Sequence, residues 1–294
     1  MVQKNRLFQV VGHVIMIILC LLCIMPFIML ISSSITSETS LIREGYSFLP
    51  KDINFTAYEY LFSRSTAIGR GYLITIGVTV VGTVINLFLT TLLAYPLSRR
   101  NLPHRGVFAF LVYFTMLFNG GIVPSYIMWT QYFHIKNTYA ALVVPNLMLG
   151  AFYVIMMRTN FQANIPDAVI EAARIDGAGE WRILAKIVLP MSLPIIATLT
   201  LMVGLHYWND WVNGLYYISK DKYYSLQVLL TRMLQDVQYL LSGAGGNTGN
   251  LAANMPSTGI KMAVAVVGAI PVLVVYPFFQ KYFVKGITVG AVKG

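Results

Sequence analysis

Long apolar runs separated by short polar connections dominate the pattern along this chain. The runs are apolar on all sides and lack the alternation at every second residue that β-barrel strands show, so they predict helices. About 20 helical residues match a hydrocarbon core of roughly 30 Å, and each run is long enough to cross a bilayer. Six spans are predicted, at Val11–Ile31, Tyr72–Leu97, Gly106–Thr130, Thr138–Met157, Met191–Val212 and Met262–Phe279.

Composition supports an all-α integral membrane protein. Hydrophobic residues make up 57% of the 294 positions and charged residues only 11%, whereas a soluble domain carries about a quarter charged residues. We expect one transmembrane domain over residues 1–294. Within it, 1–71 holds the first span and an outer loop, 72–280 forms a core bundle with a polar loop at 164–190, and 281–294 is a cytoplasmic tail.

Basic residues predict the orientation, because short loops rich in Lys and Arg stay on the cytoplasmic side. They flank the first and last spans and crowd the link between spans two and three, at Lys4, Arg6, Arg99, Arg100, Arg105, Lys281, Lys285 and Lys293. Both termini, and the loop between spans four and five, are therefore expected in the cytoplasm of a cell-membrane protein. The net charge of +10 reflects this topology rather than nucleic-acid binding, since no basic stripe with interleaved aromatic residues occurs.

The sequence lacks the motifs of an enzyme. The histidines His13, His104, His134 and His206 are too scattered for a metal site of the H-E-x-x-H type. Neither a G-x-S-x-G elbow nor a phosphate-binding G-x-x-x-x-G-K-[ST] loop is present. We therefore predict a non-catalytic chain without a cofactor or metal of its own, which receives any energy through another subunit.

One polar segment, EAARIDGAGEWRILAKIVLP at Glu171–Pro190, interrupts the second half of the chain. The pattern predicts a helix from about Pro166 to Asp176, capped by Asn164 and stopped by Gly177 in a left-handed conformation. Spacing places Val169, Ala172, Ala173 and Asp176 on one stripe of this helix, and Trp181, Leu184 and Val188 on one face of a second helix that begins near Glu180. Spacing alone leaves open a surface helix that lies on lipid or packs against the bundle.

The order E-A-A-x-x-x-G followed by I-x-L-P resembles the EAA loop of the permease subunits of binding-protein-dependent ABC importers. In that family the loop supplies a coupling helix that sits in a cleft of an ATPase subunit. The resemblance gives the coupling role to Glu171, Ala172, Ala173, Asp176, Gly177, Ile187, Leu189 and Pro190. The glycines could act as hinges, or Gly177 and Gly179 could merely stop a helix.

Further stretches narrow the resemblance to sugar importers. Asn164–Pro166, Trp208–Trp211 and the ending Gly286–Gly294 resemble MalG-like subunits, while Phe118–Gly121 resembles the polysaccharide-type branch related to LplC and YtcP. The resemblance implies a second, MalF-like permease, two ATPase subunits that bind ATP and Mg, and an extracellular or periplasmic solute-binding protein. The implied cargo is a carbohydrate, and an oligosaccharide is favoured. In such proteins the loop before span six contacts the binding protein, and in this chain that loop is the glycine-rich segment 241–250. The alternative is a flexible linker without a binding role.

Polar side chains at membrane depth and at the end of span five are the candidate substrate path: Asn119, Asn146, His206, Trp208, Asn209, Asp210 and Trp211. Aromatic faces beside hydrogen-bonding groups suit sugars, although tryptophans also form ordinary interfacial belts. The alternative function is a subunit of a secondary transporter or channel without an ATPase. A proton-coupled carrier would normally keep Asp, Glu or Lys deep in its spans, and here only Asp210 comes near.

Overall fold

A computed structural model describes residues 6–63, 65–145, 147–241 and 257–291. These residues form helices joined by turns, with one isolated antiparallel bridge between Thr36 and Ile53. The all-α expectation is confirmed. The described residues belong to two compact units, one drawn from Met1–Ile68 and Leu230–Pro271 and the other from Gly69–Leu229 and Val272–Gly294. The division into a first span, a core bundle and a tail stays a prediction.

In the first unit, an acidic side chain caps the start of the last helix. The unit begins with α1 (Arg6–Ser34), α2 (Glu38–Glu44) and α3 (Thr56–Ser63). Glu38 accepts hydrogen bonds from the backbone N–H groups of Thr258 and Gly259, at 3.0 and 3.1 Å. The first N–H groups of a helix have no partner within it and carry partial positive charge, so a carboxylate is favourable there.

The second unit contains most of the helices. They are α4 (Ser65–Ser98), α5 (Arg105–Leu117), α6 (Ile122–Ile127, continued by a π-helical turn Met128–Tyr132), α7 (Ala140–Val143), α8 (Ala151–Asn164), α9 (Asp167–Ile175), α10 (Glu180–Met191), α11 (Leu193–Trp208) and α12 (Val212–Tyr217). Two further long helices, α13 (Leu226–Leu241) and α14 (Ser257–Ala291), have residues in both units, as does α4, whose residues 65–68 belong to the first unit. The predicted glycine-rich loop falls outside the described residues from position 242 onward.

Three helices among the described residues are long and apolar enough to cross a membrane, at Phe8–Ser34, Ser65–Ser98 and Ser257–Phe278. Two pairs of helices count as two further spans if each bent pair is taken as one span. These pairs are α5 with α6, bent by 106°, and α10 with α11, bent by 82°. The chain is therefore a multi-pass membrane protein. The bend in the predicted third span lies at Phe118–Gly121, where Gly121 has a φ of +86°.

The last helix is longer than the membrane span that it contains. The sixth span was expected to end at Phe279, and the candidate span in α14 covers Ser257–Phe278. The helix continues to Ala291, and positions 292–294 lie outside the described residues. The predicted cytoplasmic tail over 281–294 stays a prediction.

The predicted continuous fourth span, Thr138–Met157, is wrong as a single helix. α7 ends at Val143 and α8 begins only at Ala151, because Pro145 removes a backbone donor and Gly150 adopts an extended conformation before α8. Backbone that is not helical at membrane depth must find partners inside the protein. Three buried side chains donate to its carbonyl groups: Asn86 to Leu147 at 2.6 Å, Tyr207 to Val143 at 2.9 Å and Asn213 to Pro145 at 2.9 Å.

A buried apolar cluster holds the polar loop against the bundle. It combines residues of α4, α8, α9, α10 and α11, and its members include Ala94, Met157, Phe161, Ile170, Ala173, Ile183, Val188 and Leu199. Close packing of the side chains in this cluster fixes α9 and α10 to the long helices.

Candidate functional site

The site begins where a proline separates α8 from α9. Asn164, predicted as a cap, is instead the last residue of α8, and Pro166 takes the cap position with φ −62° and ψ 138°. The residue before a proline is pushed out of the helical region, and Ile165 has φ −113° and ψ 106°. α9 then starts with Asp167, whose carboxylate suits the first turn.

The end of α9 is a Schellman motif centred on Gly177. Gly177 has a φ of +77°, and its N–H donates to the Arg174 carbonyl at 3.0 Å. The N–H of Ala178 donates to the Ala173 carbonyl at 2.9 Å. These two bonds satisfy carbonyl groups that the helix leaves open. The left-handed stop predicted at Gly177 is confirmed, and it gives α9 a defined end rather than a frayed one.

The two faces of α9 differ from the predicted stripe. Ile170 and Ala173 are buried in the apolar cluster, and Ala178 packs against it. Glu171, Ala172 and Asp176 are exposed. The stripe of Val169, Ala172, Ala173 and Asp176 is therefore divided, since Ala173 faces inward and the others do not. The pair at i and i+3 that covers the cluster is Ile170 with Ala173.

α10 is tied to α9 and α4 by its first residue. Arg174 donates to Glu180 Oε1 from Nε and Nη2, at 3.0 and 2.7 Å, and Tyr95 Oη donates to Oε2 at 2.6 Å. The Tyr95 hydrogen bond, reinforced by Arg174, lowers the pKa of Glu180 below its usual value although partial burial opposes the shift. The pattern along the sequence did not single out Tyr95 or Glu180 as functional residues, because they lie far apart in the chain.

Glu171 has no such internal partner. Arg174 follows Glu171 by three positions on the same helix, but it is engaged by Glu180. Within the described residues Glu171 forms no hydrogen bond or ion pair. Its carboxylate therefore remains available on the outward face of α9.

The rest of α10 packs unevenly because of its π-helical turn, Leu184–Val188. Leu184 and Val188 of the predicted face are buried, but Trp181, the third residue of that face, is 71% exposed. A π turn takes one extra residue and so shifts the residues before it relative to those after it. Ile187 and Leu189 pack against the apolar cluster, whereas Pro190 is exposed. Trp181, Tyr95 and Arg174 also line a cavity of about 440 Å³.

The Trp208–Trp211 turn holds four of the predicted substrate-path residues. Trp208 is only 8% exposed, and its ring centroid lies 6.4 Å from that of Tyr72. Asp210 accepts hydrogen bonds from the N–H groups of Val212 and Asn213, at 3.1 and 3.2 Å, and so caps α12. Asn209 donates to the Leu205 carbonyl at 3.0 Å. Trp211 remains 45% exposed.

The other predicted path residues make local contacts. His206 Nδ1 lies 3.2 Å from Tyr153 Oη, which links α11 to α8. Asn119 accepts a hydrogen bond from the Gly121 N–H at 2.9 Å and stabilises the bend between α5 and α6. Asn146 lies outside the described residues. The assignment of this set to a substrate path stays a prediction.

Comparison with known proteins identifies the family. The family described as "Binding-protein-dependent transport system inner membrane component" matches residues 78–289. The chain belongs to this family. This membership confirms the resemblance to permease subunits of ABC importers, which the Glu171–Pro190 motif indicated. The alternative function, a subunit of a secondary transporter or channel, loses its support.

Individual relatives agree with the predicted branch. The Bacillus subtilis polygalacturonan/rhamnogalacturonan transport system permease protein YtcP is 39% identical over 99% of this chain and 100% of its own length. Protein LplC of the same organism is 37% identical over 92% of this chain and 90% of its own. A chain of a bacterial ABC transporter involved in the import of the acidic polysaccharide alginate is 31% identical, covers 96% of this chain and 99% of that chain, and superposes with a TM-score of 0.78.

Proposed function

We propose that this chain forms, with a second permease subunit, the membrane path for an oligosaccharide delivered by an external solute-binding protein. ATP hydrolysis takes place on a separate pair of ATPase subunits. The family membership and the polysaccharide systems in which the relatives are named support this proposal. The observation that carries it is α9: one face is fixed in the apolar cluster, while the residues of the opposite face are exposed.

This geometry suits a coupling helix. The Schellman end at Gly177 and the Arg174–Glu180 pair make α9 and α10 a stiff unit attached to α11 through the bend at Ser192. The outward face carries Glu171, Ala172 and Ile175, the last being 86% exposed. When the ATPase subunits close, movement of α9 would reach α11 directly.

The test compares two glycines of the same loop. Gly177→Val forces a β-branched residue into positive φ and is expected to disrupt the α9 end. Gly179→Ala is the matched control, because Gly179 has φ −71° and open space around its Cα. We expect Gly177→Val to reduce ATPase retention in a pull-down and to abolish solute-stimulated hydrolysis in vesicles, and Gly179→Ala to do neither. Wild-type behaviour of both variants would contradict the coupling role.

We further propose six crossings with both termini in the cytoplasm, counting the broken segment between α7 and α8 as the fourth. The Lys and Arg distribution supports this orientation. Single cysteines would replace Asn101 or Ser242 in a background lacking Cys20 and Cys23. An impermeant thiol reagent on intact cells should label position 242 and spare 101. Labelling of position 101 without labelling of position 242 would show that the orientation is the reverse of the proposed one.

A further inference from the structure

A polar pocket lies where α4 ends, between the start of α5, the end of α8 and the start of α9. Its volume is about 580 Å³. We call it the arginine pocket, and its polar lining consists of Ser98, Arg99, Arg100, Arg105, Gln162 and Asp167. All these residues belong to one compact unit of the molecule.

The charge of the arginine pocket is unbalanced. Three guanidinium groups face one carboxylate, that of Asp167, which lies 3.9 Å from Arg99 Nη1 and 3.6 Å from Arg100 Nε. Both separations exceed hydrogen-bond length. Within the described residues Arg105 has no acidic partner. The pocket therefore retains a net positive charge and unused donors.

Arg99 is more buried than an arginine that only sets the membrane orientation needs to be, and its guanidinium carbon lies 5.1 Å from the centroid of the Tyr95 ring. An arginine that only sets the membrane orientation needs to lie in the loop between two spans, and its side chain can remain in solvent. Arg100 fits this description, because its side chain is exposed. The Arg99 side chain is only 11% exposed, and its Nε and Nη2 atoms are enclosed without a hydrogen-bond partner. Arg158, on the adjoining α8, also has an enclosed and unpartnered Nε. Buried guanidinium donors without acceptors are unfavourable unless a ligand, an ion or water supplies the acceptors.

We propose that the arginine pocket binds a phosphate group, carried either by an anionic phospholipid headgroup or by a soluble phosphate. A guanidinium matches the geometry of phosphate oxygens through paired N–H donors. The pocket lies at the end of α4, and α4 is long and apolar enough to cross a membrane, so the pocket is expected near the lipid headgroups. Asp167 is the first residue of α9 and lines the arginine pocket. A phosphate group bound in the pocket therefore lies next to the coupling segment.

The experiment uses the purified assembled importer after delipidation. Its thermal stability is followed during titration with phosphatidylglycerol, with phosphatidylcholine or with inorganic phosphate, and native mass spectrometry records the retained lipid. Variants are Arg99→Gln and the half-buried Arg105→Gln. Arg43→Gln, an exposed arginine far along the chain in α2, is the control for loss of one charge. Asp167→Asn removes the competing carboxylate.

We expect phosphatidylglycerol or inorganic phosphate to stabilise the wild type, and the effective probe identifies the source of the phosphate group. Arg99→Gln and Arg105→Gln should each weaken that binding at least about tenfold, the effect typical of one lost charge-assisted hydrogen bond. Asp167→Asn should tighten it, and Arg43→Gln should leave it unchanged. Equal binding by wild type, Arg105→Gln and Asp167→Asn, or no stabilisation by either anionic probe, would overturn the proposal.

Discussion

Two polar segments stand out from the apolar sequence, and the structure uses them in opposite ways. In α9 the outward face carries Glu171 without an internal partner, while Ile170 and Ala173 fix the helix to the bundle. In the Trp208–Trp211 turn the distinctive side chains are largely engaged within the chain. Trp208 is buried, and Asp210 caps α12.

This difference separates a surface for a partner from a support for the fold. A side chain that recognises another molecule has to keep its hydrogen-bonding groups free until that molecule arrives. A side chain that caps a helix or fills a core contributes to stability in every state of the protein. The comparison predicts that substitutions in the turn act on stability and that substitutions on the outward face of α9 act on assembly.

The largest effect on stability is expected for Trp208→Ala. Removing a buried tryptophan leaves a cavity and costs about 3–5 kcal/mol. Trp211→Ala, in the same turn, removes a half-exposed ring and should change the thermal midpoint far less. Thermal unfolding of the purified permease pair in detergent measures both. Equal losses of thermal stability in the two variants would contradict the assignment of Trp208 as buried and Trp211 as accessible.

A substitution at Trp211 also tests the predicted substrate path. If a sugar stacks in this turn, the accessible ring meets it first. Trp211→Ala should then reduce uptake while leaving stability close to wild type, as measured by transport of labelled oligosaccharide in reconstituted vesicles. Unchanged uptake would assign Trp211 to an ordinary interfacial belt.

An intermediate effect is expected at Asp210. Asp210→Ala removes the acceptor for two N–H groups at the start of α12 and should cost about 1 kcal/mol, the usual value for a lost cap. Asp210→Asn keeps the acceptor and should restore most of that stability. Chemical unfolding monitored by the tryptophan signal compares the two. A loss of uptake in the stable Asp210→Asn variant would instead point to a role for the charge in transport.

The smallest stability effect is expected for Glu171→Ala, because an exposed carboxylate without an internal partner contributes at most about 0.5 kcal/mol. ATPase retention in a pull-down should nevertheless fall. Glu180→Ala is the matched comparison in the same loop, since it loses the contacts to Tyr95 and Arg174 and should destabilise more. Full ATPase retention by Glu171→Ala would remove this residue from the coupling surface.

Local features of this protein could be predicted from the sequence. The apolar runs indicated helices, the spacing E-A-A-x-x-x-G indicated the family, and Gly177 indicated a left-handed helix end. Each of these depends on residues within a few positions of one another, where backbone sterics and hydrogen bonding to near neighbours decide the conformation.

Tertiary structure decided which face of each element is used. Tyr95 and Glu180 are 85 positions apart, and Asn86 reaches the broken fourth span at Leu147 from 61 positions away. The break was not predicted, because the run Thr138–Met157 was treated as one span despite Pro145, and the side chains that satisfy its carbonyl groups come from distant parts of the chain. A helical period shows that a residue lies on a face, whereas only packing against distant helices shows whether that face is buried. For this reason Ala173 and Trp208 proved to be buried, Trp181 proved to be exposed, and Arg99 was enclosed in a pocket rather than left in a solvated loop.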